Sequence, residues 1–466
     1  MTLAFPFRWC LLFLVLGCLV VRAQVALQVQ VVDSLPALRG LLAKDGVHVR
    51  MVPGVYLIDE ANAPDFLEFR ARNAHFDLSG VTLKVDTALS RTFGKVGTNF
   101  IKLSGDNTLV EGFSLETFGN HPAPGGARAV SITGNRIVLR RVTLTLAGSS
   151  PYGYGSFFGI GAENTVSPLK LNGIRVSGDD NTVEFCHVFM RCFGHAIFLR
   201  GANRAIIKGC RVEGALRRTD QILAETSGVA YDQGFRQYTG EPIPAGEMTS
   251  LSEDGIRAYP DDPDTGRRTQ NIRVENCRVS KMRRAICLAF AAGKNVIVDC
   301  EVTESERVGF HIGSHTTILR GKADALYAQA LDISSSGSRE SSAEILVIDS
   351  RSHYGNTLLA KINGRDHRVT LTEASADTVP GSLQIELASN RGFGAWRKDT
   401  PHAERIELSN QTAASVVLKN EAQAITGQSL GPVTDLGRGN SLRGPLPKHT
   451  SLGDPSSHRH VTATNR

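Results

Sequence analysis

The stretch NGIRVSGDDNTVEFCHV at 172–188 recurs as HAIFLRGANRAIIKGCRV at 195–212 and as RAICLAFAAGKNVIVDCEV at 284–302. Each copy has a run of alternating apolar residues, a turn rich in small and polar residues, a second alternating run and the ending Cys-x-Val. Alternation at period two is typical of β-strands, and Gly, Asn and Asp favour the tight bends between them. Ile174 and Ile197 are 23 residues apart, as are Cys277 and Cys300. This period predicts one coil of a parallel β-helix, in which each coil buries its apolar side against the next.

Related copies lie on both sides of these three. They begin at Phe66, Asn99, Arg128, Asp254, Val308, Gln329, Leu358 and, more weakly, Leu383. The sequence therefore predicts an all-β fold, a right-handed single-stranded parallel β-helix of about ten coils, which exceeds the three or so repeats that a solenoid needs.

Aligned copies define columns of residues with a common direction. One apolar column contains Ile101, Val130, Ile174, Ile197, Ile256, Ile286 and Phe310. A second column, two positions later, is also apolar, so the residue between them must point away from the core. A third column contains Cys186, Cys210, Cys277 and Cys300. Because Cys-x2–4-Cys spacing is missing, buried free thiols are favoured over a zinc site or disulfide pairing, although Cys192 and Cys287 are left open because disulfides can form in an exported protein.

The chain divides into three predicted regions. Residues 9–21, WCLLFLVLGCLVV, follow Arg8 and precede a small-residue exit at Ala23, which predicts a signal peptide at 1–23. The run is too short for a membrane span, and export to the periplasm, the cell surface or the medium is expected. Lipidation at Cys18 is the alternative. The β-helix is assigned to 24–426, and residues 427–466, which lack periodicity, are predicted to be disordered or loosely packed.

Composition limits the partners. The formal net charge is +6 over 466 residues, with no concentrated basic cluster, so nucleic-acid binding is not expected. A mildly basic exported protein suits an anionic substrate, and a monomer is expected.

The candidate site lies on the outward column of the repeated strand. Across the middle coils this face carries Arg175, Arg200, Arg257, Tyr259 and His311, with His195, Glu253 and Asp254 where the strands begin. Neighbouring coils are about 4.8 Å apart, so these side chains can meet on one small ligand. A solvated face of shielding side chains is the alternative for any single arginine. Because the side chains point outward, replacing Arg175 or Arg257 is expected to change stability little.

Two insertions border this face. The longer one, at 214–252, delivers the chain into Glu253 and carries Tyr231 and Tyr238, which suit sugar binding. It is expected to wall or cover the groove. The shorter insertion contains Asp261, Asp262 and Asp264, so Ca2+ is left open, although an ordinary turn is favoured and no metal ligand is assigned.

The rung pattern over roughly residues 45–420, with VPGVYLI at 52–58, resembles the right-handed parallel β-helix superfamily of pectate, alginate and chondroitin lyases and polygalacturonase-like hydrolases. SEDG at 252–255 and FGHA at 193–196 match polygalacturonase motifs only in part. The resemblance implies an exported, carbohydrate-active protein.

A polysaccharide lyase that acts on a uronate-containing chain by β-elimination fits the residues best. Elimination needs a neutralised carboxylate, a base for the C5 proton and an acid for the leaving oxygen. Arg175, Arg200 and Arg257 suit neutralisation, and His195, Tyr259 and His311 suit proton transfer. Asp254 is expected to orient His195 or Arg257 or to bind Ca2+, and Glu253 to bind substrate. A hydrolase using Glu253, Asp254 and Asp220 or Glu225, and a non-catalytic glycan-binding surface protein, are the alternatives.

Overall fold

The computed structural model describes residues 28–120, 124–160, 164–350, 355–391 and 400–445. Most of its strands run parallel and stack coil upon coil. One face of the coils, called here the front sheet, contains thirteen strands in the described residues: Asp65–Phe69, Thr98–Leu103, Ala127–Ile132, Leu171–Asp179, Ile197–Asn203, Asp254–Ala258, Arg284–Cys287, Val308–His311, Gln329–Ile333, Leu358–Ile362, Gln384–Leu387, Ser415–Leu418 and Val433–Asp435.

The other faces form a second sheet of 23 described strands. Its first run is Val29–Val32, His48–Met51, His75–Asp77, Leu109–Glu111, Val138–Arg140, Thr182–Glu184, Ile206–Lys208, Arg273–Glu275 and Asn295–Val298. Its second run is Gly54–Ile58, Val81–Asp86, Ser114–Phe118, Thr143–Ala147, His187–Arg191, Arg211–Glu213, Arg278–Ser280 and Glu301–Thr303. The runs merge at the long strand Thr316–Asp324, which pairs with the last strand of both, and five strands follow it: Ser342–Asp349, Arg368–Glu373, Glu407–Gln411, Thr426–Ser429 and Ser441–Arg443.

The remaining elements are short. The α-helices are Leu35–Arg39, Thr219–Leu223 and Val229–Asp232, and a 3-10 helix spans Thr87–Phe93. An antiparallel pair joins Leu216–Arg218 to Met248–Ser250, and a small parallel sheet contains Gly364–Arg365, Ala403–Glu404 and Ala422–Gln423. In the described residues, no helix has the length and apolar character needed to cross a membrane.

The register of the front sheet agrees with the predicted columns. Val130 pairs with Ile101 on one side and with Ile174 on the other, and the ladder continues through Ile197 and Ile256. All five side chains are fully buried. Contacts between these apolar columns make up the core, so the register fixes which side chains face outward.

The cysteine ladder is confirmed. Cys186, Cys210, Cys277 and Cys300 are buried and free, and the strand residues that follow them pair from coil to coil. Each thiol lies 3.5–3.7 Å from a carbonyl oxygen of the preceding coil. The thiols therefore act as small core residues.

Two expectations about the C-terminal part were wrong. The front sheet has more strands than the ten or so coils predicted, because Ser415–Leu418 and Val433–Asp435 were missed. Residues 427–445, predicted to belong to a loose tail, continue the stack through Ser441–Arg443. These strands have only three or four residues, too few for alternation to stand out. Residues 446–466, like the predicted signal peptide at 1–23 and Cys18, lie outside the described residues.

Candidate functional site

The outward column of the front sheet crosses the middle of the stack in strict register. Arg175 pairs with Phe198, Phe198 with Arg257, Arg257 with Cys287 and Cys287 with His311. Outward does not mean solvated here, since Phe198, Cys287 and His311 are all at most 5% exposed. The middle of this face is therefore covered by other parts of the chain and is not open to solvent.

Tyr259 lies between two arginines. The Arg257 guanidinium carbon is 4.4 Å from the centre of its ring, and that of Arg200 is 4.6 Å away. Cation–π contacts of this length hold both guanidinium groups beside the phenol. Burial raises the pKa of Tyr259, although the two arginines oppose this shift, so the phenol is protonated at neutral pH in the free protein.

His195 lies behind Tyr259 and has a fixed tautomer. The backbone N–H of Asp254 donates to Nδ1 of His195 across 3.2 Å, so Nδ1 must be unprotonated. Burial lowers the pKa of the His195 imidazole to about 4, against the opposing charges of Glu253 and Asp254. The neutral ring therefore carries its proton on Nε2, which is 2.8 Å from the Tyr259 hydroxyl oxygen. Because that oxygen accepts from His195, the phenol proton remains free to be donated towards the groove.

Asp254 is fully buried and bound by three guanidinium groups. Arg284 donates to both carboxylate oxygens, at 2.8 and 2.6 Å. Arg257 donates to Oδ2 at 2.6 Å, and Arg283 donates to Oδ1 at 3.4 Å. Burial by itself would raise the pKa of Asp254, but Arg283 and Arg257 outweigh it and lower the pKa to about 2. The carboxylate is therefore ionised and enclosed by its arginine partners.

Glu253 is also buried, at 2% exposed. Lys170 donates to its Oε1 at 2.8 Å. Burial would raise its pKa, but His195, Lys170 and Arg283 lower it to about 2. Its Oε2 is 3.3 Å from Nε2 of His195, yet makes no hydrogen bond, because the single Nε2–H faces Tyr259. That Glu253 binds substrate stays a prediction; the structure places its carboxylate against His195, Lys170 and Arg283.

Several polar atoms at this site lack partners. The described residues contain six buried side-chain nitrogen or oxygen atoms without a hydrogen bond, and five belong to Arg175, Arg200, Glu253, Arg257 and Asp262. Three of the five are arginine Nε atoms on successive coils. An unpaired buried donor costs about 1–3 kcal/mol. Three of them on one face leave this surface with unused hydrogen-bond donors.

Arg257 and Arg175 are more firmly held than outward-pointing side chains were expected to be. The Arg257 side chain is 15% exposed and forms an ion pair with Asp254. Burial acts to lower the pKa of Arg257, but the Asp254 carboxylate outweighs it, and the pKa is raised. Nη2 of Arg175 lies 3.1 Å from Oδ2 of Asp262, and the side chain is 12% exposed. Replacing either residue therefore affects buried ion pairs, contrary to the expectation of little change in stability.

The other predicted site residues lie apart from this cluster. His311 is two coils from Arg257, with Nδ1 3.4 Å from the Cys287 thiol, and burial lowers its pKa to about 4. Tyr231 packs against Phe235, at 6.2 Å between ring centres, and Tyr238 N–H donates to the Phe157 carbonyl. Within the described ranges, no hydrogen bond, ion pair or ring contact joins these tyrosines to Arg200 or Arg257.

The long insertion has a small core of its own. Ile222, Ala230 and Ile243 pack with Phe158, which lies between the strands Thr143–Ala147 and Leu171–Asp179. Asp220 is paired with Arg218 and Glu225 with Arg217, so both carboxylates serve the insertion itself. That the insertion forms a wall of the groove stays a prediction.

Sequence reasoning missed five contributors to the site. They are Arg128, Lys170, Arg283, Arg284 and Phe290. The register could have found one of them, since Arg284 pairs with Asp254 at the N-terminal end of the strand. Burial, with Arg175 and Arg200 nearby, lowers the pKa of Arg128 to about 10, which extends the cationic surface by one coil.

The residues around Asp262 do not fit a cation. Asp262 is bound by the Arg175 guanidinium and by Thr265 Oγ, and its carbonyl closes a turn with Gly266 N–H at 2.7 Å. In the parts of the chain that the structure describes, no three His, Cys, Asp or Glu side chains converge as a metal site. No step of the chemistry below is assigned to Ca2+.

A family described as "Right handed beta helix region" matches residues 126–324. The fold is a right-handed parallel β-helix. Among curated proteins, no sequence matches the chain significantly.

Solved structures with similar folds include PfbA, a surface adhesin of Streptococcus pneumoniae, at 13% identity over 88% of this chain and 85% of that chain, with a TM-score of 0.43. A PL6 alginate lyase in complex with a trisaccharide is 11% identical over 90% of this chain and 85% of its own, with a TM-score of 0.43. A polygalacturonase from Erwinia carotovora ssp. carotovora is 11% identical over 89% and 94%, with a TM-score of 0.35. Similarity at this level does not specify an activity.

Proposed function

We propose that this protein is an exported polysaccharide lyase that cleaves a uronate-containing chain by β-elimination at the face carrying Arg175, Arg200, Arg257 and Tyr259. The observation that carries the proposal is the row of three buried, unpaired arginine Nε donors on successive coils, two of which belong to the arginines that pack against the Tyr259 phenol. A guanidinium group matches the planar geometry of a carboxylate and forms bidentate hydrogen bonds with it.

The arginines would neutralise the substrate carboxylate. A C5 proton becomes acidic enough to remove only when charge developing on that carboxylate is stabilised. Arg200 and Arg257 both pack against the Tyr259 ring, so a carboxylate bound by either guanidinium would hold C5 close to the phenol oxygen. Arg175 and Arg128, on the preceding coils, would bind a neighbouring anionic sugar.

Tyr259 would carry the proton. In its ionised form it takes the C5 proton, the C–H electron pair forms the C4–C5 double bond, and the C4–O bond breaks. The leaving oxygen keeps the bond electrons and receives the proton from the Tyr259 hydroxyl, which regenerates the phenolate. His195 Nε2–H and the two flanking cations stabilise that phenolate.

The carboxylates suit this chemistry better than they suit hydrolysis. A glycosidase needs one carboxylic acid that is protonated at working pH and can reach the glycosidic oxygen. Asp254 and Glu253 are buried in ion pairs, and both have their pKa lowered to about 2 despite burial, which acts to raise it. They are therefore ionised and shielded from a substrate.

The proposal is tested by incubating the protein with polygalacturonate, alginate and glucuronate-containing polymers, with neutral glucans as controls. We expect ultraviolet absorbance from a conjugated unsaturated uronate, in step with new reducing ends. Reducing ends without that absorbance would establish a hydrolase instead. Retained binding with neither signal would establish a glycan-binding protein.

A further inference from the structure

Beyond the Arg175–Tyr259 cluster, the front of the next coils contains a cavity of about 570 Å³. Arg268, Phe290, Ser314, Ser335 and Arg339 are among the residues that line it. Phe290 joins the two regions, because its ring centre is 5.5 Å from the Arg257 guanidinium carbon. The cavity therefore continues the same groove along the axis of the stack.

Small residues create this space. The lining has Ala289 and Ala291 in the coil after Tyr259, and the following coil has Gly313 beside it. A Cβ on Gly313 would lie 2.3 Å from the Ala289 carbonyl oxygen, so the two backbones are in direct contact there. At the position that Arg200 and Tyr259 occupy in the preceding coils, these two coils have Ala289 and Gly313. The absence of large side chains there leaves the cavity.

The lining is cationic and rich in hydrogen-bond donors. It includes two arginines, two histidines and four serines, and no Asp or Glu among the described residues. Neither the Arg268 nor the Arg339 guanidinium has a hydrogen-bond or ion-pair partner within the described ranges. Carboxylates touch the lining residues from outside it, with Asp332 accepting from Ser334 Oγ at 2.6 Å and Glu340 lying 3.3 Å from His315 Nδ1.

Two serine hydroxyls are set up as donors. Ser314 Oγ accepts the Arg339 backbone N–H, and Ser335 Oγ accepts the Gly337 backbone N–H, both at 3.2 Å. Each hydroxyl thus has its oxygen occupied by a donor, and its own proton is available for an acceptor in the cavity. Ser334 differs, because it donates to Asp332 at 2.6 Å.

We propose that this cavity is a second anion subsite, in which Arg268, Arg339, Ser314 and Ser335 bind the carboxylate of a further uronate unit on the same polymer. The inference rests on the proposed function and adds a direction to it: the polysaccharide lies along the stack axis, from Arg175 past Tyr259 and Phe290 into the cavity. A disaccharide would occupy the Tyr259 region alone, whereas a longer chain would reach both.

The test measures binding, so that it does not depend on turnover. Calorimetric titrations would use saturated oligogalacturonates and oligomannuronates, from disaccharide to octasaccharide, in the Tyr259→Phe background. The double variant Arg268→Gln/Arg339→Gln is compared with its parent and with the matched control Arg204→Gln/Arg320→Gln, whose arginines are exposed, are paired with Asp180 and Asp299 and do not line the cavity.

In the parent and the control, affinity should rise with chain length. In the double variant we expect disaccharide affinity to be unchanged and octasaccharide affinity to fall roughly tenfold, about what the loss of one or two charged hydrogen bonds gives. The same long-chain affinity in the double variant and its parent would overturn the subsite, as would an equal loss at every length or the absence of oligouronate binding.

Failure of the subsite differs from failure of the lyase. If the wild-type protein forms unsaturated product but the double variant binds long chains normally, the subsite is wrong and the lyase stands. If no polymer yields that product but the length-dependent loss is observed, the subsite stands and the elimination is wrong.

Discussion

The backbone N–H of Asp254 donates to Nδ1 of His195 across 3.2 Å, between neighbouring coils of the front sheet. This contact ties the protonation of a side chain to the register of the stack. Because Nδ1 is occupied, the neutral imidazole donates from Nε2 to Tyr259, and the phenol proton faces the groove. The pairing of neighbouring coils therefore determines which way the Tyr259 hydroxyl proton points.

Asp254 should be important for stability because it is the shared partner of three guanidinium groups. Asp254→Asn would leave those cations buried without their counter-charge. We expect a loss of about 3–5 kcal/mol in the free energy of unfolding, measured by urea denaturation. The control is Asp180→Asn, which breaks an exposed bidentate pair with Arg204 and should cost at most about 1 kcal/mol. Equal losses in the two variants would show that Asp254 is not a buried anchor.

The protein should lose stability as the pH falls from about 6.5 to 4. Burial lowers the pKa of His195, His311 and His367 to about 4 each, from an ordinary value of 6.5. In this window the unfolded chain binds protons that the folded chain does not, so protonation favours unfolding. Denaturation at pH 7, 6, 5 and 4 should show the decline, and His367→Asn, outside the site, should reduce its slope. Stability that stays flat across this range would contradict the neutral buried histidines.

Turnover should rise towards alkaline pH. Burial raises the pKa of Tyr259, so the reactive phenolate is scarce at neutral pH and increases about tenfold per pH unit. His195→Ala removes the Nε2–H that stabilises the phenolate and should shift the rising limb to higher pH, whereas His195→Gln, which keeps an N–H donor, should shift it less. An optimum in the acidic range, or identical profiles in both variants, would contradict a Tyr259–His195 pair.

Much of the stack could be predicted from sequence because a coil leaves a periodic trace. The pairing of Ile174 with Ile197 follows from alternation and a 23-residue spacing, and that of Ile197 with Ile256 follows once the long insertion is left out of the alignment. The last coils could not be found this way, since Val433–Asp435 and Ser441–Arg443 are only three residues long.

The site was predicted in part, and for a physical reason. Alignment of the repeats places Arg175, Arg257 and Tyr259 on one face, but it does not show how deeply each side chain is buried. Asp254 and Glu253 are buried because Lys170 and Arg283 meet them from outside their own strand, and no local pattern reveals such long-range ion pairs. The Asp254–His195 contact likewise depends on the backbone of a coil 59 residues away along the chain.

Arg175 should contribute to binding more than to turnover. It lies two coils from Arg257 and pairs with Asp262, so Arg175→Gln should weaken affinity for polyuronate most at low salt. Binding measured at low and high salt should converge for the variant and the wild type as screening increases. Arg320→Gln, which removes an exposed arginine paired with Asp299, should have no such effect. A salt-independent loss, or the same loss in Arg320→Gln, would contradict an electrostatic role at this face.

Tyr259→Phe tests the central claim most directly. The change removes one oxygen and leaves the ring between Arg200 and Arg257, so polyuronate binding should be retained. We expect formation of the unsaturated product to fall by on the order of 10²–10⁴ relative to wild type, the usual contribution of a positioned proton-transfer group. The measurement is the rate of ultraviolet absorbance increase at saturating polymer, with affinity measured in parallel. Near-normal product formation by Tyr259→Phe would contradict the account.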